Sequence, residues 1–396
     1  MTVLNHLIHH RALARLAARA GVRVAGWDAI VLTAGSEEQA ALYQRQLAGL
    51  CERGLVAPGV VLLAVPDRGA ARIGSGGATF EALRVLAERQ VDGWGADGWR
   101  DKRVLLVHAG GHAKRTPWAN VLGKPFVPLP LHADPDRDCP LLIDHIVASA
   151  APLARDLAAA GDGGVVVLTG DVLALWDGDL GWRPGREAVV LSKAVPLDAA
   201  GRHGVVVGDD DGWAVDLLQK PTPEELIAAG GLVDGGAALL DTGLFAFRGA
   251  AWAALWQLAT AAEDPVAELV AIGAECSLYE DLAGALVPAR HAWVRHRPLG
   301  ERLVAAFGDC RLALHRCDAL GFVHLGTTAE YLAHLARSWD GQLQRRLLVG
   351  GCEGVDDRAV VLVSRLRPGA SVGPESVVVG SRLGARARIG GRRGGR

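Results

Sequence analysis

Two glycines at 110 and 111 precede three cations, Lys114, Arg115 and Lys124, with Pro117 and Gly123 shaping the chain between them. Glycine lets backbone N–H groups turn tightly against a ligand, and flanking cations neutralise the charge that arrives, as a polyphosphate requires. Asp171 closes the apolar run VVVLTGD. A carboxylate there suits a hard cation such as Mg2+, which binds one or two carboxylates and keeps the rest of its shell for water and substrate phosphates. Around a phosphorus undergoing transfer such groups position substrates and spread charge, and form no covalent bond themselves. Each also has a plain structural reading: a glycine turn with solvated charges, and an aspartate capping a turn.

Lysine usage bears on that choice. Lys and Arg together number 42, yet the lysines are only five, at 102, 114, 124, 193 and 220. Where arginine has taken nearly every basic position, a surviving lysine marks a place for a compact ammonium. Two of the five lie in the glycine-led stretch, and Lys220 sits in a second motif, LQKPT. Gly74, Ser75, Gly76 and Gly77, with Thr79, form a second candidate cradle. Their order fits neither G-x-G-x-x-G nor G-x-x-x-x-G-K-[ST], so the alternative is a helix held tightly against a sheet.

These residues need a scaffold that brings strand ends together. Val104–Val107 read as a buried parallel strand running into the first glycine pair. WDAIVLTA (27–34), VVLLAVPD (60–67), GGVVVLTGDVLAL (163–175) and EAVVLSKAV (187–195) are further strands. Segments 36–50 and 141–161 contribute helices, and 71–88 a strand end, a glycine-rich turn and a helix. Strands alternating with helices predict an α/β domain with a mostly parallel sheet, whose ligands bind at the carboxyl ends of the strands. Further on, 203–222 reads as a hairpin turning at Asp209–Gly212, 237–249 as a strand interrupted by Asp241-Thr242-Gly243, and RLVAAFGDCRLALHRC and GFVHLGTT as two more strands. Residues 4–20 read as an amphipathic helix. From about 355 the aliphatics Val372, Val378, Leu383 and Ile389 recur near every sixth residue, the spacing of hexapeptide β-helix coils. The expected boundaries are an N-terminal helix at 1–26, the main domain at 27–340, and the incomplete start of a left-handed β-helix at 341–396.

Composition narrows the function. Half of the 396 residues are apolar, enough for a sizeable core, and a net charge of −2 argues against a nucleic-acid footprint. No run is long and apolar enough to span a bilayer. The six cysteines follow no paired pattern, and Cys310, His315 and Cys317 fit no common zinc spacing, so reduced thiols and a cytoplasmic setting are expected.

The stretches WDAIVLTA, VPDRGAARIGSGGATFEAL, VHAGGHAKRTPWANVLGKPF, LTGDVLAL, HGVVV, LQKPT, LDTGLF, LYEDLAGAL and FVHLGTTAEYL occur in order over roughly residues 27–335. In this the chain resembles the pyrophosphorylase region of the L-fucokinase/GDP-fucose pyrophosphorylase family. The resemblance implies a Rossmann-like nucleotidyltransferase domain of the GT-A type followed by a left-handed β-helix. The implied reaction joins GTP and L-fucose 1-phosphate into GDP-L-fucose and pyrophosphate, with Mg2+. It implies that Gly110, Gly111, Arg115 and Lys124 hold the nucleoside triphosphate and that Gly74, Ser75, Gly76 and Gly77 form a second nucleotide-side loop. Asp171 would hold metal, Asp281 would be a second metal carboxylate, and Lys220 would meet the sugar phosphate. His112 stands where many relatives carry aspartate. The phosphate loop of the family's kinase domain, P-x-x-x-G-L-x-S-S, has no counterpart, so phosphorylation of fucose is not expected, and the chain reads as a truncated product or a piece of a longer protein. A non-catalytic remnant that binds nucleotide or sugar phosphate is the alternative reading. A dinucleotide oxidoreductase is disfavoured by the missing glycine fingerprint.

Overall fold

Valine, isoleucine and leucine on successive residues, with no polar alternation, force a strand to be covered on both faces. A computed structural model describes residues 26–89, 93–94, 97–111, 115–129, 140–175, 185–318, 320–333, 354–356, 358–362 and 364–390. It builds a ten-stranded sheet from such strands. Strand β1 (Ala29–Ala34) leads into helix α1 (Glu37–Glu52), β2 (Val61–Pro66) into α2 (Gly74–Ala87), and β3 (Arg103–His108) into α3 (Leu142–Ala159) and β4 (Gly164–Thr169). In the order β2-β1-β3-β4 these four strands are parallel, so their carboxyl ends share one edge.

Side-chain alternation along the strands divides the core in two. Ile30, Leu32, Leu105, Val107 and Val166 face one way, against Tyr43 and Leu47 of α1 and Ile143 and Leu153 of α3. Val31, Val104, Leu106 and Val167 face the other way, against Phe80 and Leu83 of α2 and Trp252 and Leu255 of α4 (Gly249–Ala259). Each such side chain, fully buried, contributes about 1.5–3 kcal/mol, so the two layers fix where the strands end.

After β4 the chain turns at Gly170-Asp171 into β5 (Val172–Leu175), dividing the single strand expected over 163–175. The sheet continues through β6 (Ala188–Val195), the hairpin β7 (Gly204–Gly208) and β8 (Ala214–Gln219), the short β9 (Leu232–Val233), and β10 (Ala237–Arg248). Strand β10 is antiparallel to both β4 and β6, and its register shifts between Asp241 and Phe245, at the interruption expected from Asp241-Thr242-Gly243. The segment RLVAAF, expected as a strand, is helix α5 (Gly300–Phe307). Its buried residues Leu303, Val304 and Phe307 have helical spacing, which outweighs the apolar run. Strand β11 (Leu312–Arg316) follows, and β12 (Gly321–His324) pairs antiparallel with β5.

Beyond residue 353 short strands pair in parallel with partners 17 residues further along, Val360 with Val377, Leu366 with Leu383 and Val372 with Ile389. The periodic aliphatics meet there: Val361, Val372 and Val378 are buried together, with Leu383 and Ile389 packed against them. The helix expected at 4–20 lies outside the described residues. Among the described residues no helix is long and apolar enough to cross a membrane, and Cys51, Cys276, Cys310 and Cys317 carry no disulfide.

Candidate functional site

At the shared carboxyl edge three loops come into contact. Ser36 caps α1, its hydroxyl accepting from the Gln39 N–H at 3.2 Å, which leaves Gly35 at the tip of the β1 loop. The Gly35 N–H donates to the Gln39 side chain at 2.7 Å, and Gln39 Nε2 donates to the Gly111 carbonyl at 3.4 Å. A Cβ on Gly35 would lie 3.0 Å from the Gly111 nitrogen, so the two loops abut. Gly111 itself adopts φ +97° with no atom within 4 Å of where its Cβ would be. Its conformation demands glycine, and the space beside it is open.

Lys124 is brought to this edge by packing. Gly123 lies flat against the ring of Tyr43, whose hydroxyl donates to the Ala109 carbonyl at 3.0 Å. The next residue, Lys124, reaches Asp171 with Nζ 2.8 Å from Oδ2, each side chain about one-fifth exposed. Pro125 closes on Gly170, whose N–H donates to the His108 carbonyl at 2.8 Å. Residues 47 positions apart thus form one charged pair at the mouth of β3 and β4. Arg115 is placed by its backbone: its carbonyl accepts from the Thr328 N–H at 2.9 Å and hydroxyl at 3.1 Å, while the residue itself stays exposed. His112 and Lys114 lie outside the described residues.

A second group continues from Asp171. The Asp171 carbonyl accepts from the Leu325 N–H at 2.7 Å, and Val172 pairs with His324 across β5 and β12. His324 Nδ1 is 3.2 Å from the Glu330 carboxylate, and its ring stands edge-on to that of His203, centroids 5.8 Å apart. The His203 carbonyl accepts from the Lys220 N–H at 3.0 Å, and Lys220 holds φ +50°. Burial, then the charges of His324, Arg202 and Lys220, push the His203 imidazole below its ordinary range, so it is neutral at pH 7. Lys124 and Asp171 therefore meet directly, Asp171 following β4 as Gly110 and Gly111 follow its neighbour β3, while Lys220 is linked by its backbone to His203, whose ring meets that of His324.

Gly74, Ser75, Gly76 and Gly77 form the first turn of α2 rather than a turn ahead of it. The N–H groups of Gly76 and Gly77 both donate to the Cys276 carbonyl, at 2.8 and 3.3 Å, and Ser75 Oγ accepts from the Leu278 N–H at 2.8 Å. Gly74 has φ +75°, and a Cβ there would overlap the Cys276 backbone. These glycines hold α2 against the Cys276–Leu278 segment. Asp281 is likewise occupied: fully buried, it accepts from Arg297 Nε at 2.8 Å and from the Ser277 N–H at 2.6 Å.

Three residues at the edge were not singled out from the sequence. His108, at the end of β3, has Nε2 3.1 Å from Thr79 Oγ1, and burial lowers its pKa to about 4, so it stays neutral. Since the Thr79 hydroxyl donates to the Ser75 carbonyl at 2.9 Å, His108 must donate through Nε2, leaving Nδ1 as an acceptor. His203 and His324 stood inside HGVVV and FVHLGTT, the motifs that carried the resemblance, and the polar residue at each strand end was the available signal. Asp171, one partly exposed carboxylate beside an ammonium, fits a Mg2+ whose remaining ligands come from substrate phosphates. Among the described residues no three His, Cys, Asp or Glu side chains group as metal ligands.

The sequence model of the fucose pyrophosphorylase domain matches residues 96–392. The chain is 41% identical over 408 aligned residues to the bifunctional fucokinase/GDP-fucose pyrophosphorylase of Arabidopsis thaliana, covering 95% of this chain and 38% of that protein. It is 36% identical over 105 residues to the fucose-1-phosphate guanylyltransferase of Mus musculus, covering 26% of this chain and 17% of the relative. With the Homo sapiens enzyme of that name the identity is 37% over 105 residues, 26% of this chain and 16% of the relative. The chain thus spans well under half the length of these curated relatives.

Proposed function

The chain belongs to the fucose pyrophosphorylase family, and on that premise we propose that it makes GDP-L-fucose and pyrophosphate from GTP and L-fucose 1-phosphate. The observation that carries this reading is the Lys124–Asp171 pair beside the open Gly111 turn, a place where backbone, ammonium and carboxylate meet at strand ends. The sugar-phosphate oxygen attacks the α-phosphorus in line with departing pyrophosphate. It is already anionic at pH 7, so no general base is required. The Gly110 and Gly111 backbone approaches the triphosphate, Arg115 at the rim and Lys124 neutralise its outer phosphates, and Lys220 pairs with the attacking phosphate. Asp171 would hold Mg2+, which would withdraw charge from the phosphates. Lys124, paired with Asp171 at 2.8 Å, is placed to turn its ammonium to the phosphate oxygens.

The paired strands beyond residue 353 are proposed as the beginning of a left-handed β-helix, and the working compartment as the cytoplasm. The test is pyrophosphate release by this chain with Mg2+, using a panel of nucleoside triphosphates against several sugar 1-phosphates. Release that is fastest with GTP and L-fucose 1-phosphate supports the reading. Nucleotide or sugar-phosphate binding without release with any pair overturns it in favour of a non-catalytic remnant.

A further inference from the structure

Beyond Asp171 the described groups around His203 are Arg202, Lys220, His324 and the ring of Phe322, with Glu330 the one carboxylate acting on it. Two cations, Arg202 and Lys220, and two imidazoles thus act against one acid, and that acid is hydrogen-bonded to His324 and, at 3.0 Å, to the Thr327 hydroxyl. Two exposed cations beside two partly buried imidazoles, with one carboxylate already hydrogen-bonded, suit an anion. The patch is also built with care. The Glu330 carboxylate fixes one nitrogen of the His324 ring, which leaves Nε2 for another partner. That nitrogen folds over Gly326, where any Cβ would displace it.

Lys220 is the second observation. A lysine at φ +50° is backbone strain of about 1–2 kcal/mol, and non-glycine residues keep such a conformation mainly where the surroundings impose it for function. Here the Lys220 N–H donates to the His203 carbonyl, so the strained turn holds the two residues together through their backbones. Register supplies the third. The pairing of Val172 with His324 puts the histidine next in register to the Asp171 turn, which carries the Lys124–Asp171 pair.

We propose that His203 and His324, together with Lys220, form the subsite for the phosphate of the sugar 1-phosphate, with both imidazoles donating hydrogen bonds to its oxygens. This rests on the sugar-phosphate reading above and adds two recognition residues to it. The product pyrophosphate carries the same chemistry, and the experiment separates the two sources.

The test uses the full chain and the variants His203→Gln and His324→Gln. Binding of L-fucose 1-phosphate, and separately of pyrophosphate, is measured by calorimetry, alongside KM for each substrate. Expected are a 10- to 100-fold weaker affinity and higher KM for the sugar phosphate in each variant, with the KM for GTP within about twofold of wild type. Unchanged sugar-phosphate binding in both variants overturns the proposal, as does weakening confined to pyrophosphate. If wild type binds the sugar phosphate without turning over, the nucleotidyltransferase reading fails while the binding comparison still decides the subsite. If it does not bind at all, both fall. Circular dichroism melts of the variants check the fold, and should they be destabilised, chemical-shift changes of the two imidazoles in wild type on titration with L-fucose 1-phosphate decide instead.

Discussion

Two glycine-rich turns on the same side of the sheet have opposite fates. At Gly110-Gly111 the backbone turns beside open space and next to a lysine and a carboxylate. At Gly74–Gly77 it is filled: two N–H groups go to one carbonyl, and the lost side chains make room for the Cys276 backbone. Two aspartates repeat the contrast. Asp171 is partly exposed with one lysine beside it, whereas Asp281 is fully buried with both oxygens taken. Glycine content and carboxylate position are therefore common to the proposed ligand site and a packing joint. What separates them is whether the polar groups are already spent inside the protein.

The contrast predicts different failures. Lys124→Ala should lower pyrophosphate release about 100- to 1,000-fold, the scale seen when one charge-stabilising group is removed, while the melting temperature holds. Lys124→Arg should not restore it, because the wider guanidinium does not fit a place shaped for a compact ammonium. Near-normal turnover in Lys124→Ala would make the open turn as structural as the closed one. Gly74→Ala should do the reverse. Left-handed strain plus overlap with Cys276 should cost about 3 kcal/mol of stability in denaturant titration, with the activity of the folded fraction retained. Equal loss of activity per folded molecule would put Gly74 back in the nucleotide site.

Much of this frame was legible in the chain. Unbroken aliphatic runs told where the parallel strands lie, and the Gly-Gly and Gly-Asp ends marked their carboxyl edge. The helix over 300–307 was not legible, since an apolar run next to a real strand gives both periods. The task of Gly74–Gly77 was not either. Its partner, Cys276, is about 200 residues away, and no local pattern records a contact of that kind. The histidines escaped notice for a related reason: His203 and His324 come together only when β12 pairs with β5.

The smallest effect concerns Asp241 at the β10 bulge. Burial raises its pKa to about 6 against the opposing hydrogen bond from the Gly243 N–H. The folded value lies above the ordinary 3.8, so the folded chain holds an extra proton between those pH values. Stability accordingly falls as pH rises from about 4 to about 6 and stays reduced above that. Asp241→Asn, which keeps the acceptor and removes the charge, should raise the melting temperature at pH 7.5 by a few degrees and lose that advantage below pH 4. An advantage independent of pH would mean that the charge is not its cause.

The most direct test is amide hydrogen exchange with and without GTP and Mg2+. Slowed exchange over residues 107–126 and 168–175, with little change over 74–80, is the expected result, because the first two segments meet at the open crevice and the third is already bonded to Cys276. Protection confined to 74–80, or none at 107–126, would contradict the assignment of the nucleotide site to the Gly110–Lys124 loop and Asp171.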